Sequence, residues 1–139
     1  MAKIIGEVAE ILKHQGAPKI VATVDKYGIP NVTPKASVMA IDEETLAFAD
    51  LYGFKSKTFS NLEETKQISV LVFEFPFEPP FSAYQIKGRF AGYHTSGPIF
   101  EQFAKVIKDA MGADIIGVVM IKIEAIYSQS PQDAGKKIA

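Results

Sequence analysis

Apolar residues recur along the chain with two periods, and the switches between them mark out strands and short helices. Ile4, Val8, Ile11 and Leu12 fall on one helical face, and Gly16 is placed to end that helix. The β-branched run from Ile20 to Val24 predicts a strand, Lys26-Tyr27-Gly28 a turn, and Asn31 to Ile41 a returning strand. Pro34 lies inside that returning run and makes it an edge, or marks a bulge where pairing breaks. Asp42-Glu43-Glu44 predicts the next turn and Thr45 to Ala49 a third strand. A loop with Gly53 leads to a short helix from Ser56 to about Glu64. Ile68 to Phe75 reads as a fourth strand, which Pro76, Pro79 and Pro80 break, and Ala83 to His94 as a long fifth. Pro98 is well placed in the first turn of a helix that runs to Met111 and stops at Gly112. Ile115 to Ile126 is the sixth strand, with Gly117 a candidate bulge.

Six strands joined mostly by turns predict a mainly β protein, α+β by content, whose antiparallel sheet closes into a barrel. The helices do not alternate with strands, which excludes a doubly wound fold. In the sixth strand Val119, Ile121 and Ile123 occupy one face, and Val118, Met120 and Ile126 the other. One face fills the barrel, and the other needs a helix or a second subunit over it. Val72-Phe73, the stretch from Phe75 to Phe77, and Phe81 make the same demand. One domain is expected over residues 1–127, followed by a tail, 128–139, that looks loose from Gln129 onward.

Composition narrows the chemistry. Fifteen basic and sixteen acidic side chains give a formal charge of -1, without the basic excess of a nucleic-acid binder. There is no cysteine, so disulfides, thiolate metal sites and thiol nucleophiles are excluded. The N-terminal apolar run is too short for a signal peptide, and no stretch is long enough to span a membrane. A cytoplasmic protein is expected. No hydrolase, P-loop, zinc or dinucleotide motif is present.

The segment Ser56-Lys57-Thr58-Phe59-Ser60-Asn61-Leu62-Glu63-Glu64 has its charges reversed for a helix, with the base first and the acids last. A phosphate at the N-terminus would account for this, with backbone N–H groups, the Ser56 and Thr58 hydroxyls and the Lys57 ammonium converging on it. An ordinary capped helix with a solvated lysine is the alternative, and the segment alone leaves both open. Thr33, Lys35 and Ser37 share a face of a strand that Pro34 interrupts, and broken pairing frees backbone groups for a flat heterocycle. A wet edge strand is the alternative there. Gln85, Lys87 and Arg89, the chain's one arginine, line a face of the fifth strand that reads as solvated. His14 and His94 have no metal-type spacing.

In order and spacing these pieces resemble the FMN-binding split-barrel family of pyridoxamine 5′-phosphate oxidase-like proteins, especially its small FMN-binding and flavin-reductase members. The pattern runs from Val21-Ala22-Thr23-Val24-Asp25 and Gly28-Ile29-Pro30 through Pro34-Lys35, Phe48-Ala49-Asp50 and Ser56-Lys57-Thr58 with Asn61-Leu62. It continues to Val70-Leu71-Val72 and Gln85-Ile86-Lys87-Gly88-Arg89-Phe90, covering about residues 5 to 126. The resemblance implies a six-stranded antiparallel Greek-key split β-barrel with flanking short helices. It implies FMN held at a homodimer interface, and an oxidoreductase or electron-transfer role. Lys57 and Thr58, with Ser56 beside them, correspond to the phosphate position. Thr33, Pro34, Lys35, Ala36 and Ser37 correspond to the strand along the flavin ring, and Phe48, Ala49 and Asp50 to the strand flanking it. Asn61 falls near the phosphate or under the helix. Lys35 is the candidate cation beside the ring. Oxidation of pyridoxamine phosphate itself is not expected, since this chain has one arginine, no tryptophan and a short tail. The same barrel also carries the deazaflavin F420 in some proteins, and a haem module with His94 as ligand is a further alternative.

Overall fold

The computed structural model describes every residue except Met1, Ile5, Gln15 and Phe77. Helix α1 (Gly6–Lys13) buries Val8, Ile11 and Leu12, the stripe its periodicity predicts. Strands β1 (Lys19–Val24) and β2 (Pro30–Pro34) form a hairpin. Its turn is closed by the Asp25 carboxylate, which accepts the Tyr27 and Ile29 amides at 2.8 and 3.0 Å. Strands β3 (Met39–Asp42) and β4 (Thr45–Asp50) form a second hairpin, and a single 3-10 turn, Gly53–Lys55, leads into α2 (Lys57–Thr65). Strands β5 (Gln67–Phe73) and β6 (Ala83–His94) follow, then α3 (Pro98–Met111) and β7 (Gly117–Ser128). Helix α3 begins on Pro98 and ends on Gly112, whose φ of +68° is the left-handed value a side chain would disfavour.

The strands form one antiparallel sheet in the order β2-β1-β5-β6-β7-β4-β3. Among the described residues there are seven strands where the hydrophobic pattern predicts six, and the ladder does not close into a barrel. The extra strand has a local cause. The run from Asn31 to Ile41 is not a single strand, because Pro34 ends β2 and a tight turn follows, with the Val38 amide donating to the Lys35 carbonyl at 3.2 Å. The chain resumes as β3 on the opposite edge of the sheet. A flat sheet of seven strands would be about 29 Å wide. The five Cα steps from Pro34 to Met39 span at most about 19 Å. The sheet therefore curls until its two edges face each other across a seam.

Among the described residues two apolar clusters fill the fold. The larger joins α1, α2 and the concave face, with Leu46, Phe48, Leu62, Ile86, Ile121, Ile123 and Ile126 at its centre. The smaller packs Phe103 and Ile107 of α3 on Ala47, Ala49 and Val118, so a helix covers the second face of β7. Ile126 does not lie opposite Ile121 and Ile123 as strict alternation predicts. The pairing of β7 with β6 shifts register between Ile123 and Ala125, and the bulge turns Ile126 back into the main core.

The tail is not loose. Ile138 donates to the Ile126 carbonyl at 2.8 Å, Ser128 to Lys136 at 2.8 Å and Gly135 to Ser128 at 2.7 Å, so the chain doubles back along β7. The expected boundary at residue 128 therefore falls within a strand. Of the aromatic stretch from Phe75 to Phe77, Phe75 is exposed, while Phe77 lies outside the described residues. Among the described residues no helix is long and apolar enough to cross a membrane.

Candidate functional site

Two of the segments singled out by sequence meet at the seam. Thr33 pairs with Val21 inside the hairpin, and Pro34 is exposed opposite Ile20. The Lys35 amide adds one bond beyond β2, donating to the Lys19 carbonyl at 2.9 Å. Ala36 is exposed at the turn. The β3–β4 ladder ends at Met39 and Ala47, and the Ser37 hydroxyl takes the next amide, accepting from Ala49 at 2.9 Å. Ser37 thus ties the bridge between the two edges to β4.

Lys35 is only 8% exposed. Its ammonium has no hydrogen-bond or ion-pair partner among the described residues. It stands 5.3 Å from the Tyr52 ring centroid and 5.9 Å from that of Phe48. No fully buried polar side-chain atom among the described residues lacks a partner, so the tip of Lys35 opens onto accessible space. Burial lowers its pKa below the usual lysine value, and the nearby Asp50 charge offsets part of that.

Phe48 lies in the main core, whereas the Ala49 side chain faces α3. Asp50 is buried and fully engaged. One carboxylate oxygen accepts the Tyr52 and Gly53 amides at 3.1 and 3.0 Å, and the other accepts the Tyr93 hydroxyl at 2.7 Å. Burial first, and the Asp50 bond second, push the Tyr93 phenol pKa above its ordinary value.

Helix α2 follows at once. Ser56 is its N-cap, accepting the Thr58 amide at 3.2 Å, and Lys57 stands exposed at the first helical position. Thr58 is buried, and its hydroxyl oxygen accepts from Asn31 Nδ2 at 3.4 Å, which fastens β2 to the helix start. Asn61 lies on the underside, buried and donating to Thr23 at 3.1 Å, so it anchors the helix to β1. Such a bond contributes on the order of 1 kcal/mol. The acidic end of the helix has its own explanation, because Glu64 accepts the Lys26 amide at 2.6 Å. Lys57 remains the unexplained half of the reversed charges.

Sequence reasoning missed Tyr52 and Tyr93, and read Gly117 as a candidate bulge where it makes room for the Tyr93 ring. Tyr93 is one aromatic in an alternating strand, 43 positions from the aspartate it binds, and no local signal marks it. His94, at the end of β6, is exposed. His14 lines a separate cavity of about 460 Å³ with Glu7, Glu10, Glu74 and Phe75. No group of three or more metal-ligating side chains occurs among the described residues.

Comparison with known proteins agrees with this architecture. The uncharacterized protein MJ0282 of Methanocaldococcus jannaschii is 30% identical over 142 residues, covering 100% of this chain and 90% of that protein. HupZ of Group A Streptococcus superposes with a TM-score of 0.78 at 24% identity, over 97% of this chain and 99% of that one. An FMN-binding protein from Syntrophomonas wolfei reaches 0.78 at 18% identity, over 88% and 83% of the two chains. An F420 reductase and the heme storage protein HutZ of Vibrio cholerae share the fold, each at a TM-score of 0.65. They are 18% and 15% identical, over 88% and 91% of this chain and 98% and 94% of theirs. The model of the pyridoxamine 5′-phosphate oxidase family matches residues 4–138, nearly the whole length, and the chain belongs to that family.

Proposed function

We propose that the protein is an FMN-binding flavoprotein, an oxidoreductase or electron-transfer protein that works as a homodimer. The observation that carries this reading is the start of α2, where an exposed Lys57 stands beside the Ser56 cap. The first amides of a helix lack acceptors within it, and they favour an anion. Because Thr58 Oγ1 accepts from Asn31, its own proton is left to donate elsewhere. These groups fit a phosphate. The fit to a flavin ring rests on Lys35, a buried cation whose tip opens beside Phe48 and Tyr52.

In this reading Ser56, Lys57 and Thr58 hold the phosphate, and the backbone of residues 33–37 lies along the ring. The strand of Phe48, Ala49 and Asp50 flanks it through its backbone, and Asn61 supports the helix from beneath. Lys35 places positive charge at the ring edge, which favours a reduced, anionic flavin. FMN supplies the electron or hydride chemistry when bound, so no nucleophile or general base is required of the protein.

The visible spectrum of the purified protein, with mass analysis of what denaturation releases, tests the cofactor. Lys57→Ala should weaken FMN binding by about tenfold, the loss of one charge-assisted contact, while leaving the melting temperature of the FMN-free protein unchanged. Unaltered affinity in a fluorescence titration removes the phosphate assignment. An F420 reductase has the same fold, and the same helix could hold a deazaflavin phosphate, so equilibrium dialysis against both cofactors discriminates. HutZ makes haem the third outcome, and His94→Ala with undiminished haem affinity excludes His94 as its ligand.

A further inference from the structure

Asp50 and Tyr93 form a lock at the root of α2. The Tyr93 hydroxyl holds one oxygen of Asp50 at 2.7 Å, while the other oxygen fixes the amides of Tyr52 and Gly53. Gly53 opens the 3-10 turn with φ +56°, and that turn runs directly into the Ser56 cap. The Tyr93 ring also abuts Phe59 in the first turn of α2, centroid to centroid 4.5 Å. Space for the ring exists because residue 117 is glycine, since a Cβ there would lie 2.2 Å from Tyr93 Cζ. One side chain therefore grips both the strand end before the phosphate segment and the helix that carries it.

We infer that Tyr93 is a positioning residue for the anion-binding start of α2, acting through Asp50 and Phe59 without touching the ligand. This rests on the phosphate reading of Ser56, Lys57 and Thr58. It requires that Tyr93 control affinity for the phosphate and not for the flavin ring. Lys57 reaches the anion as a flexible point charge, but the Ser56 and Thr58 donors are fixed by the backbone, so their aim depends on how the helix enters.

The test compares FMN with riboflavin, which lacks the phosphate, in fluorescence-quenching titrations of the wild type and Tyr93→Phe. Loss of the hydroxyl should weaken FMN by about fivefold and leave riboflavin unchanged, so the preference for the phosphorylated ligand shrinks. Equal losses for both ligands, or none, overturn the inference. Circular dichroism checks the fold. Should Tyr93→Phe fail to fold, Phe59→Leu loosens the other contact of the same ring, and the same ratio decides. Inorganic phosphate, followed through the amide resonances of Lys57 and Thr58, separates the two levels of the argument. If the wild type binds phosphate there but no flavin, the FMN reading falls, and weaker phosphate binding by Tyr93→Phe still supports the positioning role while unchanged binding overturns it. If the wild type binds neither, both fall.

Discussion

Glu7 opens α1, and its carboxylate accepts the hydroxyls of Ser82 and, at 2.9 Å, Tyr84. Burial first, and the bond to Glu7 second, push the Tyr84 phenol up to about 12 from an ordinary 10.0. The folded state therefore holds this proton more tightly than the unfolded chain does. Its contribution is complete below about pH 10 and is lost as pH rises from there toward about 12. Tyr93 acts in the same direction. Melting temperature should stay level through neutral pH and fall above pH 10, and Tyr84→Phe should flatten part of that fall. An unchanged alkaline slope in Tyr84→Phe thermal melts refutes the assignment. None of this was legible in the sequence, because Glu7 and Tyr84 are 77 positions apart and meet only when α1 docks.

At the scale of elements, β7 begins where β6 ends, and Gly117 lets the two approach. Gly117→Ala should destabilise the fold by about 1–3 kcal/mol, the usual cost of overpacking, measured by urea unfolding. Combining it with Tyr93→Leu should cost less than the sum of the two, since the clash is with the ring itself. Strict additivity would show that the glycine serves something else. The elements were the most legible level. The stripe of α1, the cap of α2 and the Pro98 start of α3 all follow from local rules that tertiary packing does not override. Two features escaped because they are decided by partners. The run from Asn31 to Ile41 is split between two sheet edges, and Ile126 is returned to the core by a bulge defined jointly with β6. The candidate site shows the same division. Lys35 and Ser56 to Thr58 were visible as misplaced charge and broken pairing, whereas the groups that hold them, Asn31, Tyr52 and Tyr93, carry no local mark.

At the scale of the molecule, some of the exposed apolar side chains lie on segments that border the candidate site, on β2, between β4 and α2, and before β7. Val32 is 65% exposed and Phe54 74%, with Tyr52 and Ile116 also open to solvent. A second copy of the chain covering them would complete each site, as the homodimer reading requires. Light scattering after size exclusion should give twice the chain mass, and Val32→Asp should shift it toward the monomer and weaken FMN with it. A monomeric wild type that binds FMN fully would remove the interface from the site. The bridge of residues 35–38 has a different kind of consequence. It is the tether that holds the two edges of the sheet at a set distance, so its length works as a gauge of curvature. Lengthening or shortening it by one residue would alter the bend of seven strands, not the shape of one loop. Lys35 and Ser37 belong to that tether, so the width of the proposed ligand slot would follow the curvature of the sheet.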